Sequence, residues 1–188
     1  MLTIAAYDRH VEQLFDTLRR VARAFDQARI EYRVIGGVAV FLHVSDRDPR
    51  AARSTRDVDV AVDRDRLASI IEAVRPLGFA YRHAAGVDML VDASEPKARS
   101  AVHLVFVREK VRPDYLEPVP GFSPPVRTRE GVLLAPVADL VRMKLTSYRL
   151  KDRVHLQDLD AVGLITPDVE AQLSEALRQR LREVRASE

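Results

Sequence analysis

Ile35-Gly36-Gly37 opens an apolar run, and after an Arg- and Asp-rich spacer the chain reads Asp57-Val58-Asp59-Val60. These two pieces decide the fold. Residues two apart on a strand share a face, so Asp57 and Asp59 should project side by side. Val58, Val60 and Val62 then point the other way, into a core. Two carboxylates on one face repel each other and favour a divalent cation between them. The glycine pair suits a sharp passage from a strand into a helix, whose first N–H groups can bind phosphate. Carboxylates that hold a cation, next to a turn that binds phosphate, suggest a nucleotide site. Taken alone, the carboxylates also suit a half-exposed edge strand, and the glycines a plain tight turn.

Around this centre the apolar periodicity alternates between helix and strand. Val11, Leu14, Phe15, Leu18, Val21, Ala22 and Phe25 recur at helical spacing and predict an amphipathic helix over about 7–28. Tyr32 to Ile35 reads as a strand, Val38 to His43 as a buried helix, and Ser45 to Arg56 as a polar loop. Asp57 to Val62 is the second strand. Leu67, Ile70, Ile71, Val74 and Leu77 mark a helix stopped at Gly78. Phe79 to Arg82 and Val87 to Val91 flank a hairpin turn, and Ala101 to Val107 alternates as a later strand. Residues 109 to 131, with Pro113, Pro118, Pro120, Pro124 and Pro125, form a long connection or flap. Val132 to Leu134 makes a further short strand. Beyond Pro136 the pattern is helical: one helix carries Val137, Leu140, Val141, Leu145 and Tyr148, and a second spans about 151–162. A last one is capped by Thr166 with Pro167 at its first position, and buries Val169, Leu173, Leu177 and Leu181. The expected architecture is α/β (α+β), a mixed sheet flanked by helices over residues 1–135, then a C-terminal helical bundle over 136–188.

Composition narrows the function classes. The chain has 188 residues, 47% of them hydrophobic, which suits one globular unit. With 30 basic and 28 acidic residues its net charge is +2, too even to predict nucleic-acid binding from charge alone. Cysteine is absent, which excludes disulfides and thiolate metal sites and fits a reducing cytoplasm. No apolar run reaches the roughly 18 residues that would span a bilayer, and residues 1–10 lack a secretory pattern. The expectation is a cytoplasmic protein without membrane contact.

An apolar residue, Gly-Gly, a spacer and Asp-apolar-Asp-apolar, in that order, resemble the nucleotidyltransferase fold of the polymerase-β-like superfamily. The resemblance implies Mg²⁺ (or Mn²⁺) at Asp57 and Asp59, and the phosphates of a nucleoside triphosphate at Gly36 and Gly37. Arg53-Ser54-Thr55-Arg56 is similar to the basic and Thr residues before this motif in bacterial minimal members, which places Thr55 and Arg56 with the nucleotide. Lys144, Arg149, Asp152, His155 and Asp158 resemble a helical motif of AbiEii-type toxin nucleotidyltransferases. Together these features cover residues 30 to 165. The implied activity is Mg-dependent transfer of a nucleoside monophosphate from an NTP to RNA, tRNA or protein. The implied setting is the toxin of a toxin–antitoxin or phage-defence system, with an antitoxin as partner. Antibiotic modification shares the same fold.

Two departures from the family pattern stand out. Relatives carry a third carboxylate on a later strand, where this chain has His103. That residue can ligate a softer ion, act as a base for the attacking hydroxyl, mark lost activity, or be an ordinary strand histidine. The degenerate reading, nucleotide or partner binding without catalysis, follows from this position. Asp88 and Asp92 on the preceding hairpin are alternative oxygen donors. The spacer between Gly37 and Asp57 is also longer than usual, with the excess in the 46–56 loop.

Lys144 falls within an apolar helical stripe, so it must snorkel, pair with a carboxylate or reach a bound anion; the resemblance favours the anion. Asp158 either joins the pocket or docks helices through an arginine, and Arg149 with Asp152 reads as a structural pair. The arginines at 47, 50, 53 and 56 suit a phosphate grip or a solvated face. His10, His43 and His83 show no metal-ligand spacing.

Overall fold

In the computed structural model, residues 4–53, 55, 57–93 and 101–187 are described, with side chains from residue 11 onward. Helix α1 (Ile4–Gln27) precedes strand β1 (Tyr32–Ile35), helix α2 (Gly36–Arg47) and strand β2 (Val58–Val62). Helix α3 (Leu67–Val74) leads through a short 3₁₀ turn to the hairpin of β3 (Phe79–Ala84) and β4 (Val87–Asp92). Strands β5 (Val102–Phe106), β6 (Val126–Arg127) and β7 (Leu133–Leu134) follow, then helices α4 (Val137–Ser147), α5 (Leu150–Ala161), α6 (Pro167–Ala171) and α7 (Glu175–Ala186). The strands make one mixed sheet in the order β3-β4-β5-β2-β1-β7-β6.

Register is what places the site. Antiparallel pairing of β1 with β2 sets Ile35 opposite Asp59, and parallel pairing of β2 with β5 sets Asp59 opposite His103. Residues 35, 59 and 103 therefore form one row across three strands. Tyr32, Val34, Val58, Val60 and Val62 occupy the other face, all buried. There Tyr32 meets Phe25 of α1 ring to ring at 5.6 Å. Helix α2 packs on β1 and β2, and α4 and α5 pack on α2. A second apolar cluster joins Val40 and Val44 of α2 to Val141, Leu145, Leu156, Leu159, Leu177 and Leu181. Alternation on the strands and the stripe on α2 thus serve two layers of burial.

Several element boundaries differ from the sequence expectation. Helix α2 begins at Gly36 rather than Val38, because Gly36 takes φ +70° and turns the chain into the helix within one residue. It also runs to Arg47, so the expected loop is shorter. Strand β2 starts at Val58, with Asp57 just ahead of it. The hairpin turn is only Ala85 and Gly86, both at positive φ, and the strands extend to meet it. The single last helix expected after Thr166 is two helices, broken before Glu175. Leu173 lies between the two helices and still joins Leu177 and Leu181 in one cluster.

The proline-rich connection is fastened rather than free. Arg33, 6% exposed, donates from Nε and Nη2 to the Ser123 carbonyl at 3.0 and 2.7 Å. Its guanidinium stacks 5.1 Å from the Phe122 ring, and Arg142 binds Glu117 at 3.1 Å. Among the described residues no helix is long and apolar enough to cross a membrane.

Because α2 and α4–α7 share one apolar cluster, chemical denaturation is expected to show a single transition. Replacing the fully buried Leu156 by Ala should lower stability by about 2–5 kcal/mol, read from the same denaturation curve.

Candidate active site

Asp59, the second residue of β2, projects onto the glycine turn. A Cβ built on Gly36 would lie 2.0 Å from Asp59 Oδ2, so only a residue without a side chain fits there. A Cβ on Gly37 would lie 2.4 Å from Thr55 Oγ1 and 3.6 Å from His155 Cε1. The two glycines, Asp59, Thr55 and His155 therefore meet at the start of α2. Helix N-terminal N–H groups have no intrahelical partners, so this is where an anion finds donors. The N-cap residue, Ile35, has no side-chain oxygen to cap the helix.

His103 stands beside Asp59 in the same row, with Nδ1 3.0 Å from Asp59 Oδ1. This hydrogen bond raises the imidazole pKa above its usual value, burial opposes it, and the charges of Asp59 and Asp57 add to the rise. Both carboxylates thus act on one ring. A raised histidine pKa stabilises the fold fully below about pH 6.5, and that contribution is lost as pH climbs through the folded value.

Behind the turn lies a buried ion cluster built by the sharp junction of α4 and α5. Tyr148 adopts φ 49° and ends α4, which brings Lys144, Ser147, Arg149 and Asp152 together. Asp152, fully buried, accepts from Lys144 Nζ at 3.1 Å, Arg149 Nε at 2.7 Å and Ser147 Oγ at 2.8 Å. Its carboxylate also receives the Arg149 backbone N–H at 3.3 Å. Burial alone would raise the Asp152 pKa, but the Arg149 bond, the Lys144 charge and Ser147 hold it down to about 2. Burial pushes the Lys144 ammonium below its usual value, against the pull of Asp152 and then of Asp59. Lys144 accordingly takes the carboxylate pairing among its three options while lying within electrostatic reach of the site. The Arg149–Asp152 pair is structural, as its spacing suggests.

The remaining candidates are distributed unevenly. Asp158 pairs with Arg53 at 2.9 Å, docking the loop before β2 onto α5. Arg56 lies outside the described residues, as does Ser54. Asp88 does not face the site: it sits opposite Leu104, on the Val60 face, and accepts from Tyr81 at 2.5 Å with His83 Nδ1 at 2.9 Å. Asp92 has the same strand parity, so the hairpin offers no replacement for the third carboxylate. His43 is buried, 2.9 Å from the Ala135 carbonyl. The His10 side chain lies outside the described residues. His155 gains a place that its sequence spacing did not give it. Its place beside Gly37 arises from α5 packing on α2.

Asp57 and Asp59 are hard oxygen donors, and proteins commonly hold Mg²⁺ with one or two carboxylates plus substrate phosphates. Both carboxylates act electrostatically on His103, and Asp59 lies against the glycine turn. Among the described residues no group of three His, Asp or Glu side chains forms a ready metal cluster.

No protein-family model matches the sequence, and no curated protein matches it. Solved structures do. A nucleotidyltransferase-like antigenic protein from Paracoccidioides brasiliensis is 20% identical with a TM-score of 0.61, over 94% of this chain and 88% of the other. The crystal structure of ANT(2")-Ia in complex with adenylyl-2"-tobramycin is 11% identical with a TM-score of 0.53, over 92% and 97%. These likenesses, with the mixed sheet described above, give the chain a nucleotidyltransferase-like fold.

Gly36→Ala should cost about 1–3 kcal/mol, through positive φ and the clash with Asp59, seen as a lower Tm. In an NMR titration His103 should protonate above pH 6.5, and Asp59→Asn should bring its midpoint down.

Proposed function

We propose that this protein is a nucleotidyltransferase that moves a nucleoside monophosphate from an NTP to an acceptor hydroxyl. The observation that carries the reading is the Asp59 carboxylate lying against Gly36, at the N-terminus of α2. A triphosphate seated on the Gly36–Gly37 turn would bring its negative charge onto that carboxylate. Such contact is unfavourable unless a cation sits between them, and Asp57 supplies the second carboxylate for it. When bound, Mg²⁺ or Mn²⁺ would offset the charge on the attacking and leaving oxygens.

The chain's own residues supply the rest. Thr55 and the N–H groups of α2 hold phosphate oxygens. Lys144 contributes positive potential from behind, kept in place by Asp152. His103 in its neutral form accepts the proton of the acceptor hydroxyl as its oxygen bonds to the α-phosphorus, while the bond to pyrophosphate breaks. Asp59 orients the ring for this step. Asp158 acts through Arg53, holding the loop that carries Thr55.

A second reading has one observation in its favour. His103 takes the place of the third carboxylate and is bonded to Asp59, so the chain would bind nucleotide or a protein partner without transfer. Acceptor chemistry is open to three classes: RNA or tRNA, protein, and an aminoglycoside, since ANT(2")-Ia was solved with an adenylylated aminoglycoside. An RNA or protein acceptor fits the toxin setting and its antitoxin partner, which growth arrest on expression would test.

Incubation with labelled NTPs, each divalent ion and each acceptor class separates these readings. Transfer should fall by about 10²–10³-fold in Asp57→Ala and Asp59→Ala. Nucleotide binding with no transfer under either ion would instead establish the non-catalytic reading. In that case His103→Asp is the variant expected to gain activity.

A further inference from the structure

His155 is not needed to explain the fold, yet its ring occupies a distinctive place. It projects from α5 to within 3.6 Å of the position a Gly37 Cβ would take, beside the Thr55 hydroxyl. Among the described residues its buried Nδ1 finds no hydrogen-bond partner. Leaving a buried polar atom unpaired is unfavourable, and an apolar side chain would pack here without that cost. Asp152 is the nearby carboxylate that could satisfy it, but that group already receives Lys144, Ser147 and Arg149. Burial, followed by the Lys144 charge, lowers the ring's pKa to about 4, so it is neutral at pH 7. A neutral imidazole carries one N–H donor and one lone pair, and the partner of one nitrogen sets which of them the other presents.

The surroundings specify what such a donor would meet. Apart from the Asp152 carboxylate, already bonded to Lys144, Ser147 and Arg149, the groups acting around the ring are the backbone N–H groups at the start of α2, the Thr55 hydroxyl, and the charges of Lys144, Lys151 and Arg149. All of these attract acceptor oxygens, which matches a phosphate group and not a base edge. We propose that His155 is a nucleotide-positioning residue whose ring N–H donates to a phosphate oxygen of the NTP seated on Gly36 and Gly37. This inference rests on the nucleotide site proposed above and adds the phosphate contact from α5.

The test is calorimetric titration of the full chain with non-hydrolysable analogues of the four NTPs, Mg²⁺ present. Leu and Met at position 155 remove the donor while remaining good helix formers, and Gln retains one. H155L and H155M should bind the preferred analogue about tenfold more weakly, with H155Q within about threefold of wild type. The Tm of H155L and H155M should match or exceed that of wild type, because no polar atom is then left unpaired. Equal affinity in wild type and the apolar variants overturns the role of His155 while leaving the nucleotide site intact. Equal weakening in H155Q and H155L also overturns the donor role and assigns the ring to packing. Absence of binding by wild type sinks the nucleotide site itself and this inference with it.

Discussion

Asp59 and Gly36 occupy space that neither could share with another residue type. The carboxylate oxygen lies where a Cβ would be, so the strand and the helix can approach only because position 36 is bare. The same glycine takes the left-handed φ that turns β1 into α2. One residue thus sets both the backbone path and the distance between a negative side chain and the positive end of a helix. The row of Ile35, Asp59 and His103 is fixed by strand register, and it keeps that geometry in place.

The electrostatics around this contact are split by depth. Toward the sheet, two carboxylates act on His103 and favour its protonated form. Behind the turn, burial and Lys144 favour the neutral form of His155. Two histidines with the same intrinsic chemistry are therefore driven in opposite directions on either side of the glycine turn. Asp152 keeps the deeper side charged and ordered by taking hydrogen bonds from three side chains. Removing either partner of such a buried pair would strand the other, which explains why α4 and α5 meet at so tight a junction.

Likeness in three dimensions persists here where sequence likeness has faded. At 20% and 11% identity, what is shared is the fold. The C-terminal helices belong to the same packing problem as the sheet. Val40 and Val44 of α2 join the cluster of α4 and α5, which α7 backs in turn, so the helix that carries the glycine turn is packed between the sheet and these helices.

Much of this was readable from residue order. Period-two alternation at Asp57–Val62 and Val102–Phe106, glycine before an apolar helix, and leucines at helical spacing each encode local geometry, which depends only on neighbours in the chain. Those signals determined the element types and the α/β architecture, and they marked the glycine turn and the acidic strand as candidates. Register, packing direction and charge pairing depend on residues far apart in sequence, and only the tertiary structure decided them. It set His103 beside Asp59, turned Asp88 to the other face, gave Lys144 to Asp152 and brought His155 to Gly37. Spacing can place a side chain on a face of its own element, but which partner meets that face is settled only when the elements pack.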